Sequence, residues 1–314
     1  MKKILLATTM LAGTAGFAAA EVSISGYAEI GIWSYNHDAA GAWIGDSGLA
    51  STGSAVAFYQ DVEVKFNMSG TTDGGLEFGA VIDLDETNVA TNDDSGTSVW
   101  VSGAFGKLTM GDTDGAIDWA LADMDGDMTS ITDDHSTHNA WFGGTAFDGA
   151  GDGQIVRYEN TFGDVAFAIS AEQGDNGIGV ADDIFGIAVK YTADLGGTDV
   201  ALGLGYQDAG ALGKAIGVSA AATAANGVGG KIAYIDYEMF AGAVDASHLG
   251  LEVSYKSGPL GVAVNYGEVE FAGVSVDSWG AVANYDLGGG AKVMGGYGKD
   301  DAGDTWSLGL GLSF

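Results

Sequence analysis

Nine residues at the carboxyl end, Trp306-Ser-Leu-Gly-Leu-Gly-Leu-Ser-Phe314, constrain this chain more than any other segment. Side chains on a strand alternate between two faces, so Trp306, Leu308, Leu310, Leu312 and Phe314 share one face. Ser307, Gly309, Gly311 and Ser313 share the other, which is too small and too polar to be packed core. A strand that is apolar outside and polar inside suits a β-barrel standing in lipid. The pattern ends on an aromatic residue, Phe314.

The other end of the sequence agrees. Lys2 and Lys3 form a basic start, Ile4 to Leu11 an apolar run, and Ala18, Ala19 and Ala20 a small-residue cleavage site before Glu21. This is the pattern of a secretory signal peptide over residues 1–20, which leaves residues 21–314 as a single barrel domain. No later stretch supplies the roughly 18 uninterrupted apolar residues of a spanning helix. Export without a helical anchor points to the periplasm, the medium or the outer membrane of a Gram-negative bacterium, and the barrel pattern selects the last. The absence of cysteine rules out a disulfide framework. Without Lys2 and Lys3, 9 basic residues face 43 acidic ones, a formal charge of −34. That excludes nucleic acid and anionic headgroups as partners. Such acidity fits solvated loops, and it also fits an acidic vestibule that concentrates cations; the two readings are compatible.

Segment after segment repeats the terminal pattern. Leu76, Phe78, Ala80, Ile82 and Leu84 alternate with Glu77, Gly79, Val81 and Asp83. Phe185, Ile187, Val189 and Tyr191 alternate with Gly186, Ala188, Lys190 and Thr192, and similar segments begin at Val165, Val200, Leu249 and Leu260. One such strand is weak evidence, because any half-exposed sheet alternates. Many of them, each about ten residues long with small or charged residues inward, predict an all-β, antiparallel transmembrane barrel. The count predicts sixteen strands, with 208–245 the hardest stretch to divide. Short turns such as Thr72-Asp-Gly74, Phe162-Gly-Asp164 and Asp194-Leu-Gly196 alternate with longer segments at 36–53, 86–96 and 112–153. That is the asymmetry of short periplasmic turns against long external loops. Trp and Tyr near strand ends (Trp100, Tyr191, Tyr206, Tyr255, Trp279 and Trp306 among them) predict interfacial girdles.

Three segments resemble the general diffusion porins of photosynthetic and marine α-proteobacteria: Met68-Ser-Gly-Thr-Thr-Asp-Gly-Gly-Leu-Glu-Phe-Gly-Ala80, Val101-Ser-Gly-Ala-Phe-Gly-Lys-Leu-Thr-Met-Gly-Asp112 and Tyr285-Asp-Leu-Gly-Gly-Gly-Ala291. The resemblance extends over nearly the whole of residues 21–314. It implies a sixteen-stranded barrel, a homotrimer, and a long third loop folded into the lumen as a constriction. It further implies acidic loop residues facing a basic cluster on the wall, with small hydrophilic solutes and ions passing by diffusion.

The third loop is expected at residues 112–153, which carry ten Asp and no Lys, Arg or Glu. A segment this long without strong structure of its own is usually functional. Its constriction candidates are Asp112, Asp114, Asp118, Asp123, Asp125 and Asp127. On the wall, Val62, Val64, Phe66 and Met68 would face lipid, turning Asp61, Glu63, Lys65 and Asn67 inward. Relatives tend to carry Arg near the first two of these positions, where this chain has carboxylates. Lys65 and Arg157, the one arginine of the sequence, are the remaining basic candidates, and Arg157 shares its face with Glu159. Lys107 reads as the end of a periplasmic turn. Rings of Asp and Glu favour cations, so the expected channel is cation-selective.

No cofactor is required by this chemistry. Asp123, Asp125 and Asp127 do offer the closely spaced hard oxygens that Ca²⁺ takes, though without EF-hand spacing. His135 and His138, three apart in an acidic segment, resemble half a metal site and are a weak metal signal. Asp134, His135 and Ser136 are consecutive and cannot build a hydrolytic triad, so no enzyme is expected. The competing reading is a secreted Ca²⁺-binding structural or adhesive β-protein. It would need tandem glycine- and aspartate-rich nonapeptides, and none is arrayed in the sequence.

Overall fold

Alternating segments can hide their backbone polar groups from lipid only by pairing all the way round. A computed structural model describes residues 20–37, 53–85, 96–124, 128–131, 145–174, 182–240, 242–301 and 303–314. Among them, sixteen strands form one closed barrel in which every strand pairs antiparallel with its sequence neighbours. β1 (Glu21–His37), β2 (Gly53–Thr71), β3 (Glu77–Asp85), β4 (Thr97–Gly103) and β5 (Gly106–Gly111) lead to a short helix, α1 (Ala116–Ala120). β6 (Ile155–Phe162), β7 (Val165–Glu172), β8 (Ile184–Asp194), β9 (Thr198–Asp208) and β10 (Gly213–Ala224) follow. β11 (Val228–Met239), β12 (Val244–Ser257), β13 (Leu260–Phe271), β14 (Val274–Gly288), β15 (Ala291–Asp300) and β16 (Gly303–Ser313) complete the circuit. Such a ring differs from a calcium β-roll, which coils its strands in parallel.

The terminal strand closes the ring. Ile30 pairs with Leu310 and Ile32 with Leu308, and the Phe314 backbone N–H donates to the Gly26 carbonyl at 2.8 Å. Its apolar face is the outer one, continuous with a belt of exposed side chains that includes Ile24, Phe58, Leu204, Val253 and Val264. Phe58 is 93% exposed, which a water-facing surface would not tolerate as part of so wide a belt. Lipid is the solvent this belt requires.

The short turns expected from the sequence all lie at one end of the barrel, and β10 and β11 resolve the stretch that was hardest to divide. The alternation of short and long connections holds only in the first half. After β9, β11, β13 and β15 the opposite end is also closed by connections of two to four residues. Nothing in an antiparallel pair requires more than a tight turn.

Candidate functional site

Among the described residues, the largest buried apolar cluster does not lie within the sheet. It lies between the inner face of the wall and the segment that follows β5. Ile117, Leu121, Met124 and Phe147 from that segment pack with Ile184, Ala209, Ala215, Ala233 and Ile235 of the wall and its margin. Glycines make the approach possible. A methyl group at Gly205 would stand 2.7 Å from Ile117 Cγ1, and one at Gly217 would stand 2.5 Å from Leu121 Cδ1. Burying a large apolar side chain is worth ~1.5–3 kcal/mol, so this seat is not marginal. Farther along, Met128 meets Ala263 and Val282, and Ile131 lies over Gly31 and Gly309. The described parts of the segment therefore reach from β7 round to β1 and β16.

Polar side chains of the wall fasten the segment's backbone. Ala116 N–H donates to Ser170 Oγ and Ala122 N–H to Ser219 Oγ, each at 2.9 Å. Phe147 N–H donates to Gln207 Oε1 at 2.7 Å. Glu172 accepts from the backbone N–H groups of Gly149, Gly151 and Gly153. In the other sense, Arg157 donates to the Asp114 carbonyl and Lys231 to the Asp123 carbonyl. Asp148 accepts from Gly115 N–H and from Gln207 Nε2, tying the outgoing and returning limbs to each other.

The charged candidates divide accordingly. Lys65 Nζ lies 2.6 Å from Asp83 on the adjacent strand. Arg157 is buried, 2.9 Å from Glu159 and 3.6 Å from Asp114. Asp61 is buried opposite Glu29 in the β1–β2 register, and Glu63 lies opposite Tyr27 and Asp85. Asp112 accepts from Gly96 N–H at 2.6 Å. A cavity of about 360 Å³ brings Lys65, Asp83, Asp112 and Asp114 together. Burial pushes the Asp118 carboxyl up to about 7, helped by the charges of Asp114, Asp123 and Asp148 and opposed by Arg157. Burial likewise raises Asp148 to about 6, against the hydrogen bonds from Gly115 and Gln207 that favour its charged form.

Of the calcium candidates only Asp123 is described, its carbonyl engaged by Lys231; Asp125 and Asp127 lie outside the described residues, as do His135 and His138. Among the described residues no cluster of three His or acidic side chains could hold a metal ion.

Two further lysines of the wall take part. Lys190 lies 4.5 Å from the Trp119 ring centroid, and Lys231 lies 3.7 Å from Glu252. Both sit at inward positions of the alternation, which was the signal available. Trp100 was expected at the lipid interface. Its ring instead lies over Gly79 on the inner face, with Lys107 Nζ 5.4 Å from its centroid.

Comparison with known proteins gives a consistent picture. Residues 7–305 match the family model described as Gram-negative porin. A porin of Rhodobacter capsulatus is 32% identical over 307 residues, covering 90% of this chain and 95% of that protein. A porin structure refined at 1.8 Å superposes with a TM-score of 0.69 at 27% identity, covering 94% of this chain and all of that one. A triple mutant of Rhodopseudomonas blastica porin shares the fold with a TM-score of 0.65 at 19% identity, over 94% of this chain and all of that one.

Proposed function

This chain belongs to the Gram-negative porin family, and from that premise we propose a passive, water-filled and cation-selective diffusion channel, narrowed by segment 112–153. It is an outer-membrane β-barrel and a channel, not an enzyme. The finer reading adds a homotrimer, removal of residues 1–20 on export, and passage of small hydrophilic solutes and cations.

One observation carries the selectivity. Of the inner-face cations, Lys65, Arg157 and Lys231 each have a carboxylate within 3.7 Å, two of these are further engaged by loop carbonyls, and Lys190 lies over the Trp119 ring. Their field at the passage is therefore largely cancelled, while Asp112 and its acidic neighbours remain on the lumen side. A low-dielectric wall focuses that surplus negative charge into the aqueous path. Calcium on Asp123, Asp125 and Asp127 would offset part of it.

The test is the reversal potential of the purified protein in a planar bilayer under a KCl gradient, with and without millimolar Ca²⁺. Stepwise conductance with a cation-selective potential is expected, and a smaller selectivity in Ca²⁺ would implicate the three aspartates. An anion-selective potential would mean that Lys65 and Arg157 dominate the passage. No conductance from folded barrels would end the channel reading.

A further inference from the structure

Residues 148–153 distribute their backbone N–H groups in a regular way. Asp148, Ala150 and Asp152 donate to the carbonyls of Thr145, Phe147 and Gln173. The alternate residues Gly149, Gly151 and Gly153 instead converge on one carboxylate, that of Glu172 at the end of β7. Oε2 accepts from Gly149 at 2.9 Å, and Oε1 accepts from Gly151 at 2.7 Å and Gly153 at 3.0 Å. Glu172 is 3% exposed, so water has almost no access to its carboxylate.

The glycines are required by geometry. Gly149 and Gly153 both hold φ of +77°, the left-handed region that L side chains rarely enter. Gly151 has ordinary φ, but a methyl group there would stand 2.9 Å from Glu172 Oε1 and closer still to the Gln173 carbonyl. Left-handed residues among convergent N–H groups form a concave nest for an anion. Here the anion is a side chain of the wall.

We propose that Glu172 is the positioning residue that sets the width of the passage, by holding the Gly149–Gly153 nest against β7. The hold is transmitted. Asp148, one residue before the nest, accepts from Gly115 N–H, the residue that precedes α1. Releasing the nest leaves Asp148 held by Gln207 alone on the wall side, and so loosens the start of the helix that rests on β8 and β9. Glu172 itself touches no solute. This inference rests on the reading of segment 112–153 as the element that narrows the channel.

The experiment compares wild type, Glu172→Ala, Glu172→Gln and Gly151→Ala as full-length barrels whose folding is checked by heat-modifiable gel mobility. Single-channel traces and the size cut-off in liposome swelling are the readouts. Glu172→Ala is expected to lose the single steady conductance level and admit larger sugars. Formate, a free carboxylate that fits the vacated nest, restores the steady level in that variant. Glu172→Gln keeps one acceptor oxygen for Gly151 and Gly153 but turns its amide N–H groups toward Gly149, so a smaller loss is expected, without rescue because the amide fills the site. Gly151→Ala keeps the carboxylate but blocks its approach, and should flicker likewise; it decides the matter if the Glu172 variants do not fold. A folded Glu172→Ala with wild-type conductance, noise and cut-off would overturn the proposal, as would a quiet Gly151→Ala or formate that leaves Glu172→Ala unchanged. Failure of wild type itself to conduct would count against the channel reading instead.

Discussion

Replacing Gly205 by valine tests whether the helix of segment 112–153 rests on the wall. Gly205 lies on the inner face of β9, where an added Cβ would stand 2.7 Å from Ile117 Cγ1 and 2.9 Å from Ile117 Cα. Ordinary contact begins near 3.4 Å, so the Cα must retreat by about half an ångström for alanine alone. Valine adds two methyl groups, each about 1.5 Å beyond Cβ, and the helix must then rise by roughly 1–2 Å. Overpacking of this kind costs ~1–3 kcal/mol. The seat opposing it includes four buried apolar side chains, at ~1.5–3 kcal/mol each, and several backbone fastenings worth ~0.5–1.5 kcal/mol apiece. The seat outweighs the clash, so the segment stays attached but displaced into the lumen. Single-channel conductance should fall while the barrel keeps its heat-modifiable gel mobility. Gly230→Ala is the control, since it lies at an outward position where the nearest atom to a new Cβ is 3.6 Å away. A folded Gly205→Val barrel with unchanged conductance would refute the placement of the helix.

Three further outcomes follow from the same geometry. Lys65→Gln removes a lumen cation and frees Asp83, so the reversal potential should move toward stronger cation selectivity; stability should change little, because a half-exposed ion pair is worth only ~0–1 kcal/mol. Asp118 and Asp148 have folded-state values raised to about 7 and about 6, so each ionises as pH rises through those points, and reversal potentials recorded from pH 8 down to pH 5 should show cation selectivity declining. The stability sign runs the other way: a raised acid favours the folded state while it is protonated, so the loop's seating should weaken as pH climbs from about 4 through 7, visible as increasing channel noise. Leu204→Arg places a charge on the outer face of β9, which costs ~2–4 kcal/mol at the bilayer midplane and should lower the yield of folded barrel in refolding titrations.

The wall was legible because lipid imposes a rule on every second residue. Leu204, Val253 and Leu308 are exposed where the alternation put them, and Gly205, Glu252 and Ser307 face inward. The stretch from 208 to 245 was hard to divide for a physical reason. Around β10 both faces carry small apolar residues, with Ala215, Gly217 and Ala221 inside and Ala220 and Ala222 outside, so the contrast between faces fades. At Trp100 the register of the strand overrides the interfacial preference of the indole. Val99 and Val101 flank it on the outer face, which already turned it inward. The inner surface was less legible than the outer one, since no repeat governs which wall residue meets which part of a loop.

That difference decides how the charges must be interpreted. Sequence can count lumen cations, but an arginine that holds a loop carbonyl and a lysine that faces passing ions occupy the same alternating position. Arg157 bonds the Asp114 carbonyl and Glu159, whereas Lys65 is part of the cavity that also holds Asp112 and Asp114. Neutralising either removes one positive charge, yet the consequences should differ with salt. Screening contracts from roughly 30 Å at 0.01 M to roughly 3 Å at 1 M, so an effect carried by the field fades as KCl is raised. A displaced loop narrows or widens the path at any ionic strength. Lys65→Gln should therefore change selectivity strongly in dilute KCl and hardly at all in 1 M KCl, with conductance in 1 M KCl unchanged. Arg157→Gln should alter conductance and noise in both. If Arg157→Gln instead loses its effect in 1 M KCl, its guanidinium acts on ions directly and the fastening assigned to it is wrong.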